Sequence, residues 1–305
     1  MDQPAAVSTE VRQHYVGLID ALLRAGSTDL AGQCAQLAVE QGVWADARQR
    51  PIEYLAEGSG HAVYEPAEFW FTQYLEAGYD RIRAELDTIT DPRQQGFLPV
   101  EEPLLGSGRW DQVVLYDGGR RNDAACRLFP VLTEVIEGIP EATTHGPGVV
   151  TLSWLHPGTH IIPHCGRTNA QLRVHLGLRV PPGASIRVGS EQLRWAEGKC
   201  IVFDDSFEHE VRHDGAEPRV VLLLDVLHPA LGQRQRDRLL SRRRSVTEQV
   251  ARYLAAHDLL RIETDKQGVV LRPAPGTEAL IRRYLAETGA TAAEAHGLEV
   301  TFERE

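Results

Sequence analysis

No stretch of this chain approaches the roughly 18 consecutive apolar residues that a membrane-spanning helix needs, so no transmembrane segment and no membrane partner are expected. The start, Met-Asp-Gln-Pro-Ala, has neither the basic flank nor the apolar run of a secretory signal, and the expected location is cytoplasmic. Cysteine is sparse. Cys34, Cys126, Cys165 and Cys200 stand apart with no CxxC pair, which argues against a zinc knuckle and reads as reduced thiols. Positive charge is short too: 32 Lys and Arg face 43 Asp and Glu, for a net charge of -11. Phosphate neutralisation needs an extended basic face, so no nucleic-acid partner is expected. Lysine is nearly missing, with only Lys199 and Lys266, a bias of composition more than of physics.

What is present is an ordinary globular composition. The 305 residues are 42% hydrophobic and 25% charged, enough for one large domain or two of usual size. From Ser8 to Ala25, the residues Val11, Tyr15, Leu18, Ile19 and Leu22 recur at helical spacing, with Ser8 or Thr9 as N-cap and Gly26 as the stop. Ser27 and Asp29 can cap a second helix over Leu30 to Glu40, whose face carries Leu30, Cys34, Leu37 and Ala38. Residues 1–48 therefore read as a helical hairpin that braces the main domain. A further helix begins at Pro66, carries Phe69, Trp70, Phe71, Tyr74 and Leu75 toward a core, and resumes after Gly78 through Ile82 to Leu86. Trp110 to Tyr116 alternates as a strand, turns at Asp117-Gly118-Gly119, and leads into a helical segment with Cys126, Leu128, Leu132, Val135 and Ile136.

From Gly148 the pattern changes to short β runs: Val149 to Leu155, Gln171 to Arg179, Ser185 to Val188, Lys199 to Phe203, Glu208 to Arg212 and Arg219 to Val226. Turns rich in Pro, Gly and Asp separate them. The expectation is an α+β fold in which residues 49–231 form an antiparallel sandwich or barrel with helices packed outside. Gln233 to Ser245 is arginine-rich and reads as a solvated helix face or linker, or as a patch for an anionic partner. A helix over Val246 to Ala256, a hairpin turning at Asp265-Lys266-Gln267-Gly268 and a helix over Thr277 to Glu287 make residues 232–305 a small C-terminal α/β module, a helix-hairpin-helix. It offers a place for a protein partner or a second copy of the chain.

The chemistry concentrates between Ser153 and His228. Its centre is His160-Ile-Ile-Pro-His164-Cys-Gly-Arg-Thr-Asn169, then Arg173-Val-His175 and Asp204-Asp-Ser-Phe-Glu-His209. His164 closes one strand and His209 opens another. In a double-stranded β-helix, a jelly-roll or cupin-like core, such positions can face each other and hold a first-row divalent metal. Arg219 begins the apolar run Val220 to Leu224. An arginine entering a buried strand needs an anion, and no acid of its own strand is an obvious partner. The arrangement matches iron(II)- and 2-oxoglutarate-dependent oxygenases except at one place: a facial triad wants His-x-Asp or His-x-Glu, and His164-Cys165-Gly166 offers glycine.

The block His156-Pro-Gly-Thr-His160, Pro163-His164-Cys-Gly166, Leu172-Arg-Val-His175-Leu-Gly-Leu178, Phe203-Asp-Asp-Ser-Phe-Glu-His-Glu-Val211 and Asp225-Val-Leu-His228-Pro229 closely resembles the aspartyl/asparaginyl β-hydroxylase family. Similarity reaches upstream through Arg50-Pro51, Phe69-Trp70-Phe71 and Gly119 to Cys126. In that family two histidines hold the iron, and water takes the place of the carboxylate at a glycine. The resemblance thus implies Fe(II), 2-oxoglutarate and O2 as cofactors, with succinate and CO2 released. It assigns His164 and His209 to the metal and to catalysis. Arg219 and Ser153 would hold the distal carboxylate of 2-oxoglutarate, with His175 at the nearer one. Arg173 would face an acid group of substrate or cosubstrate, and Trp110 would line the pocket.

For the substrate, vertebrate-type members use basic residues at the positions matching Thr151 and Gln171, and here both are neutral. A free or carrier-bound amino acid, or a small peptide, fits better than an aspartate of a secreted domain. Arg120 and Arg121 are candidates for reading a substrate acid group, or a surface pair at a helix start. Asn169 is either a turn former or a site residue, and Asp204 and Asp205 read as turn and capping residues. The competing reading is a non-catalytic cupin-like binding or regulatory protein that acts through its C-terminal module.

Overall fold

The computed structural model describes residues 7–58, 60–89 and 91–239, together with the backbone pairing of strands at 260–265, 268–273 and 298–300. The chain opens with helices α1 (Thr9–Arg24) and α2 (Thr28–Glu40). Ser8 caps α1 by accepting the Val11 N–H, and Gly26 ends it in the left-handed region at φ 73. The buried face differs from expectation. Ile19 packs on Ala31, Ala35 and Ala38 with Val43 and Trp44, whereas Val11, Leu18, Leu30 and Leu37 stay exposed. Alanines one turn apart let two helix backbones approach closely, and that contact sets which stripe faces inward.

The next elements are β1 (Val63–Tyr64), α3 (Trp70–Ala77) and α4 (Tyr79–Leu86). Pro66–Glu68 is a single 3-10 turn cut off from α3, because Phe69 is extended at φ -115 and ψ 123. Then come β2 (Leu98–Pro99), β3 (Leu105–Ser107), β4 (Trp110–Asp117) and β5 (Arg120–Arg121). The helical segment after β5 is three pieces, α5 (Asp123–Leu128), α6 (Pro130–Glu137) and α7 (Pro140–Thr143), the last two opened by a proline in the first turn. The β-rich half holds β6 (Val149–Leu155), β7 (Thr159–His164), β8 (Gln171–Arg179), β9 (Ala184–Val188), β10 (Glu191–Leu193), β11 (Cys200–Phe203), β12 (His209–His213) and β13 (Arg219–Leu227).

These strands make two antiparallel sheets. The larger runs β1-β11-β8-β13-β6-β4-β2 with β5 on β4, and the smaller runs β10-β9-β12-β7-β3. This is the α+β jelly roll, cupin-like, with helices outside. Alternation gives the larger sheet two distinct faces. Leu152 and Trp154 of β6, Val174 and Leu176 of β8, and Val220, Leu222 and Leu224 of β13 join Phe71, Leu75, Ile82, Leu132 and Ile136 of the helices in the main core. The residues between them, Ser153, Arg173, His175, Arg219 and Asp225, lie on the other face, toward the smaller sheet. There Leu155, Ile161, Val188, Phe203, Val211 and Val221 form a second core. Strand β7 ends at His164 as expected, although two histidines and Pro163 interrupt its apolar pattern and hide where it begins.

Beyond β13, α8 (Gln233–Leu239) begins the arginine-rich segment. Strands β14 (Leu260–Asp265) and β15 (Gly268–Pro273) form the expected hairpin, and β16 (Leu298–Val300) pairs in parallel with β15. The helices expected over 246–256 and 277–287 lie outside the described residues. Among those residues, no helix is long and apolar enough to cross a membrane.

Candidate active site

Pairing of β7 with β12 sets His164 directly opposite His209, and the two rings lie 4.1 Å apart between centroids. Each ring is fixed in the same way. His164 Nδ1 donates to the Ile162 carbonyl at 2.8 Å, and His209 Nδ1 to the Phe207 carbonyl at 2.9 Å. A carbonyl can only accept, so both protons sit on Nδ1 and both Nε2 lone pairs are left free, as in metal-ligating histidines. Burial pushes both pKa values down, that of His209 far down with a further push from His164. The pair is neutral and ligand-ready near neutral pH. No third His, Cys, Asp or Glu joins it in a metal-holding cluster among the described residues.

Across from the pair, the larger sheet gathers buried hydrogen-bond donors around Arg219. Arg219 is 2% exposed, and its Nε has no hydrogen-bond partner among the described residues. One guanidinium nitrogen reaches Ser153 Oγ at 3.4 Å, and the plane packs over Trp195 at 4.5 Å. With no carboxylate beside it, burial lowers the Arg219 pKa to about 9. Ser153 Oγ also accepts the Trp110 indole N–H at 3.0 Å, which leaves its own proton to donate. His175 Nδ1 accepts the Trp195 indole N–H at 3.2 Å, so its proton is on Nε2, which is buried and has no partner among the described residues. Burial first, and then Arg219 and Arg173, hold His175 neutral. Arg219 Nε and His175 Nε2 thus line one face with no acceptor among the described residues, and the Ser153 hydroxyl lies beside them.

Arg173 is placed otherwise than expected. Its guanidinium grips Asp225 in a fork at 2.9 and 3.2 Å and contacts Asp205 at 3.1 Å. Burial works against its charge, but the two carboxylates outweigh it and raise the pKa. It therefore faces two acids of its own chain rather than standing free for a cosubstrate carboxylate. Asp204 and Asp205 lie, as expected, in the turn between β11 and β12, where Asp204 Oδ1 accepts the Ser206 N–H at 2.9 Å, and Asp205 also reaches the site. A Cβ built on Gly166 would lie 2.7 Å from the Asp205 carboxyl carbon, so the place where a triad carboxylate would start is filled from the turn that precedes β12. Burial raises the pKa of this carboxyl, against the lowering effect of Arg173 and of a hydrogen bond from Gln171.

Other expected residues fall outside this cluster. Arg121 pairs with Glu137 at 2.8 Å and with Asp123, on the helical layer, and Arg120 is exposed at the β5 hairpin. Asn169 bonds the Leu55 backbone twice, at 2.8 and 2.7 Å, as a strand would. His160 bonds Glu210 at 2.7 Å and His228 bonds Tyr64 at 2.8 Å. The sequence reading assigned Trp195 and Asp225 no site role and Asp205 only that of a turn or capping residue, because only strand register brings Asp225 opposite Arg173.

Two facing histidines on one sheet, and on the other a buried arginine with no acidic partner among the described residues, make a cupin-type jelly roll with a candidate metal and acid site. The family model described as aspartyl/asparaginyl beta-hydroxylase matches residues 76–229, and the chain belongs to that family of hydroxylases. The aspartyl/asparaginyl beta-hydroxylase of Homo sapiens is 38% identical over 232 residues, covering 75% of this chain and 30% of its own length. Aspartate beta-hydroxylase domain-containing protein 1 of Homo sapiens is 38% identical over 177 residues, covering 55% of this chain and 44% of its own. The chain spans less than half of either relative. A prolyl-4-hydroxylase structure from Pseudomonas putida is similar at 12% identity and TM-score 0.33, over 49% of this chain and 87% of that one, a likeness too distant to carry an argument.

Proposed function

We propose that this protein is an iron(II)- and 2-oxoglutarate-dependent dioxygenase that hydroxylates a C–H bond, by family resemblance the β-carbon, of an amino acid or amino-acid residue. The observation that supports this most is Arg219, a buried guanidinium with no acidic partner among the described residues. A buried charge is costly unless paired, and a ligand carboxylate suits its fork. The donor set fits a dicarboxylate and a metal together. Arg219 and the Ser153 hydroxyl would bind the distal carboxylate, the His175 Nε2 proton would orient the nearer one, and His164 and His209 would hold the metal.

When bound, iron(II) supplies the redox chemistry that couples O2 and the oxidative decarboxylation of 2-oxoglutarate to hydroxylation, releasing succinate and CO2. The chain does the rest. The carbonyls of Ile162 and Phe207 keep both Nε2 atoms turned inward. Trp195, Phe203 and Val221 form part of the apolar wall that excludes water. Asp205 sets its carboxylate against Gly166 while contacting Arg173, and would order a water near the metal pair. Thr151 and Gln171 are buried and neutral, and Arg173 is occupied by two acids. A free, carrier-bound or short-peptide amino acid is the substrate class this supports.

Anaerobic addition of iron(II) and 2-oxoglutarate should give the visible charge-transfer band of the chelate, and a wild-type protein without it would sink the proposal. His164→Ala and His209→Ala should each abolish the band. Arg219→Ala should weaken 2-oxoglutarate by roughly tenfold to a hundredfold, as loss of hydrogen bonds to a charged group implies, with Co(II) binding retained. Succinate release over a panel of amino acids and peptides, with mass spectrometry for one added oxygen, identifies the substrate.

A further inference from the structure

The family model begins at residue 76, yet a segment well ahead of it runs across both turns that carry the metal histidines. At the turn before His209, Gln49 is 1% exposed and donates from Nε2 to Asp204 Oδ2 at 2.9 Å and to Ser206 Oγ at 3.1 Å. These two residues flank Asp205, so one amide brackets the carboxylate that packs on Gly166. The Arg50 N–H donates to the Ser206 carbonyl at 3.1 Å, and the Glu208 N–H to the Arg48 carbonyl at 2.7 Å. The Arg50 guanidinium, 7% exposed with its residue, pairs with Glu208 at 2.8 Å while donating to the Ala47 carbonyl at 2.8 Å. Glu208 is the immediate neighbour of His209.

The same segment then reaches the turn after His164. The Glu53 N–H donates to the Arg167 carbonyl at 2.9 Å, and Leu55 exchanges both its backbone groups with Asn169. Asp205 closes the gap between the turns by accepting the Gly166 N–H at 2.7 Å through its backbone carbonyl. Nothing in the strand ladder alone requires a glutamine or an arginine at this place. A buried amide satisfied by two side chains of one turn fixes that turn's shape, since any shift leaves buried polar groups unpaired.

We infer that Gln49 and Arg50 are positioning residues of the metal site, which hold the Asp204 to Glu208 turn so that His209 and Asp205 meet His164 and Gly166 in register. This rests on the two-histidine reading given above. Neither residue touches the metal or substrate. Both act through the turn, and loss of their bonds loosens the histidine pair without removing a ligand.

The test is titration of the metal-free full-length chain with Co(II), read by its visible absorption, alongside the melting temperature. Gln49→Leu and Arg50→Met should each weaken Co(II) binding by about tenfold or more, the scale of outer-sphere changes at metal sites. Arg50→Lys, which keeps a cation against Glu208, should recover most of the affinity. Ala35→Leu in the helical hairpin serves as a control that lowers the melting temperature away from both turns. Its Co(II) affinity should stay at the wild-type value. Wild-type affinity in Gln49→Leu and Arg50→Met, or an equal loss in Ala35→Leu at matched melting temperature, would overturn the positioning role alone. If Gln49→Leu does not fold, Arg50→Met is judged by the same criterion. A wild-type protein that takes up no Co(II) would overturn the two-histidine reading and this inference with it.

Discussion

At Gly166 the requirement for glycine comes from a neighbour. The backbone there is outside the left-handed region, but a Cβ would press on the Asp205 carboxylate at 2.7 Å. Gly166→Asp would supply the carboxylate of a facial triad in sequence terms while displacing Asp205 and its pairing with Arg173. We expect a loss of about 1–3 kcal/mol, typical of overpacking, and no gain in Co(II) affinity. Tighter Co(II) binding at an unchanged melting temperature would refute this. His228 gives a pH dependence. Its Nδ1 accepts the Ala230 N–H at 3.1 Å, so its Nε2 proton goes to Tyr64 Oη at 2.8 Å, and the ring must be neutral. Burial lowers its pKa from 6.5 to about 4. A histidine whose folded pKa is depressed stabilises the fold above the unfolded value, and that contribution is lost as pH falls from 6.5 toward 4. Relative to His228→Gln, the wild-type advantage should shrink by at most about 1.4 kcal/mol per pH unit in this window, measured by urea unfolding at pH 7, 6 and 5. A difference that does not change with pH would rule it out.

Among the elements, α1 and α2 show how periodicity can be right about a helix and wrong about its face. Both were legible from apolar spacing and Ser8, and their ends agree within a few residues. The leucines at positions 30 and 37 share one stripe of α2, the alanines at 31, 35 and 38 another, and the second is buried. Hydropathy weights leucine above alanine, whereas close helix packing rewards the smaller residue. Ala35→Leu should therefore cost about 1–3 kcal/mol, and Leu37→Gln should stay within about 0.5 kcal/mol, both by urea unfolding. The strands β6 and β8 matched their apolar runs end to end, since one face of each packs on helices and gives a clean signal. Strand β7 carries His160, Pro163 and His164 in six residues, and its pairing with β3 and β12 was not legible locally.

For the whole molecule, the residues gathered at the candidate site come from β4, β6, β7, β8, β12 and β13 and from the loops on either side of β11, and the brace comes from the segment after α2. The C-terminal sheet contributes none of them. A chain ended after Leu239, which keeps the Gly146 contact to the Leu239 carbonyl at 2.7 Å, should still give the iron and 2-oxoglutarate band. Its loss in a folded truncation would tie the C-terminal module to the site. The sequence by itself determined an antiparallel sandwich or barrel with helices outside and an arginine at the mouth of an apolar strand, because period-2 alternation and misplaced polar residues are local signals. The choice of His164 and His209, by contrast, rested on the resemblance to the family's motifs. The sequence determined the glycine at the triad position too, though not the reason for it. Only the tertiary structure decided that Asp205 fills the space at Gly166, that Asp225 and Asp205 occupy Arg173, and that Gln49 and Arg50 secure the turn before His209. Each of these is a contact between groups far apart in the chain, and strand register, which no local pattern carries, brings them within hydrogen-bond reach.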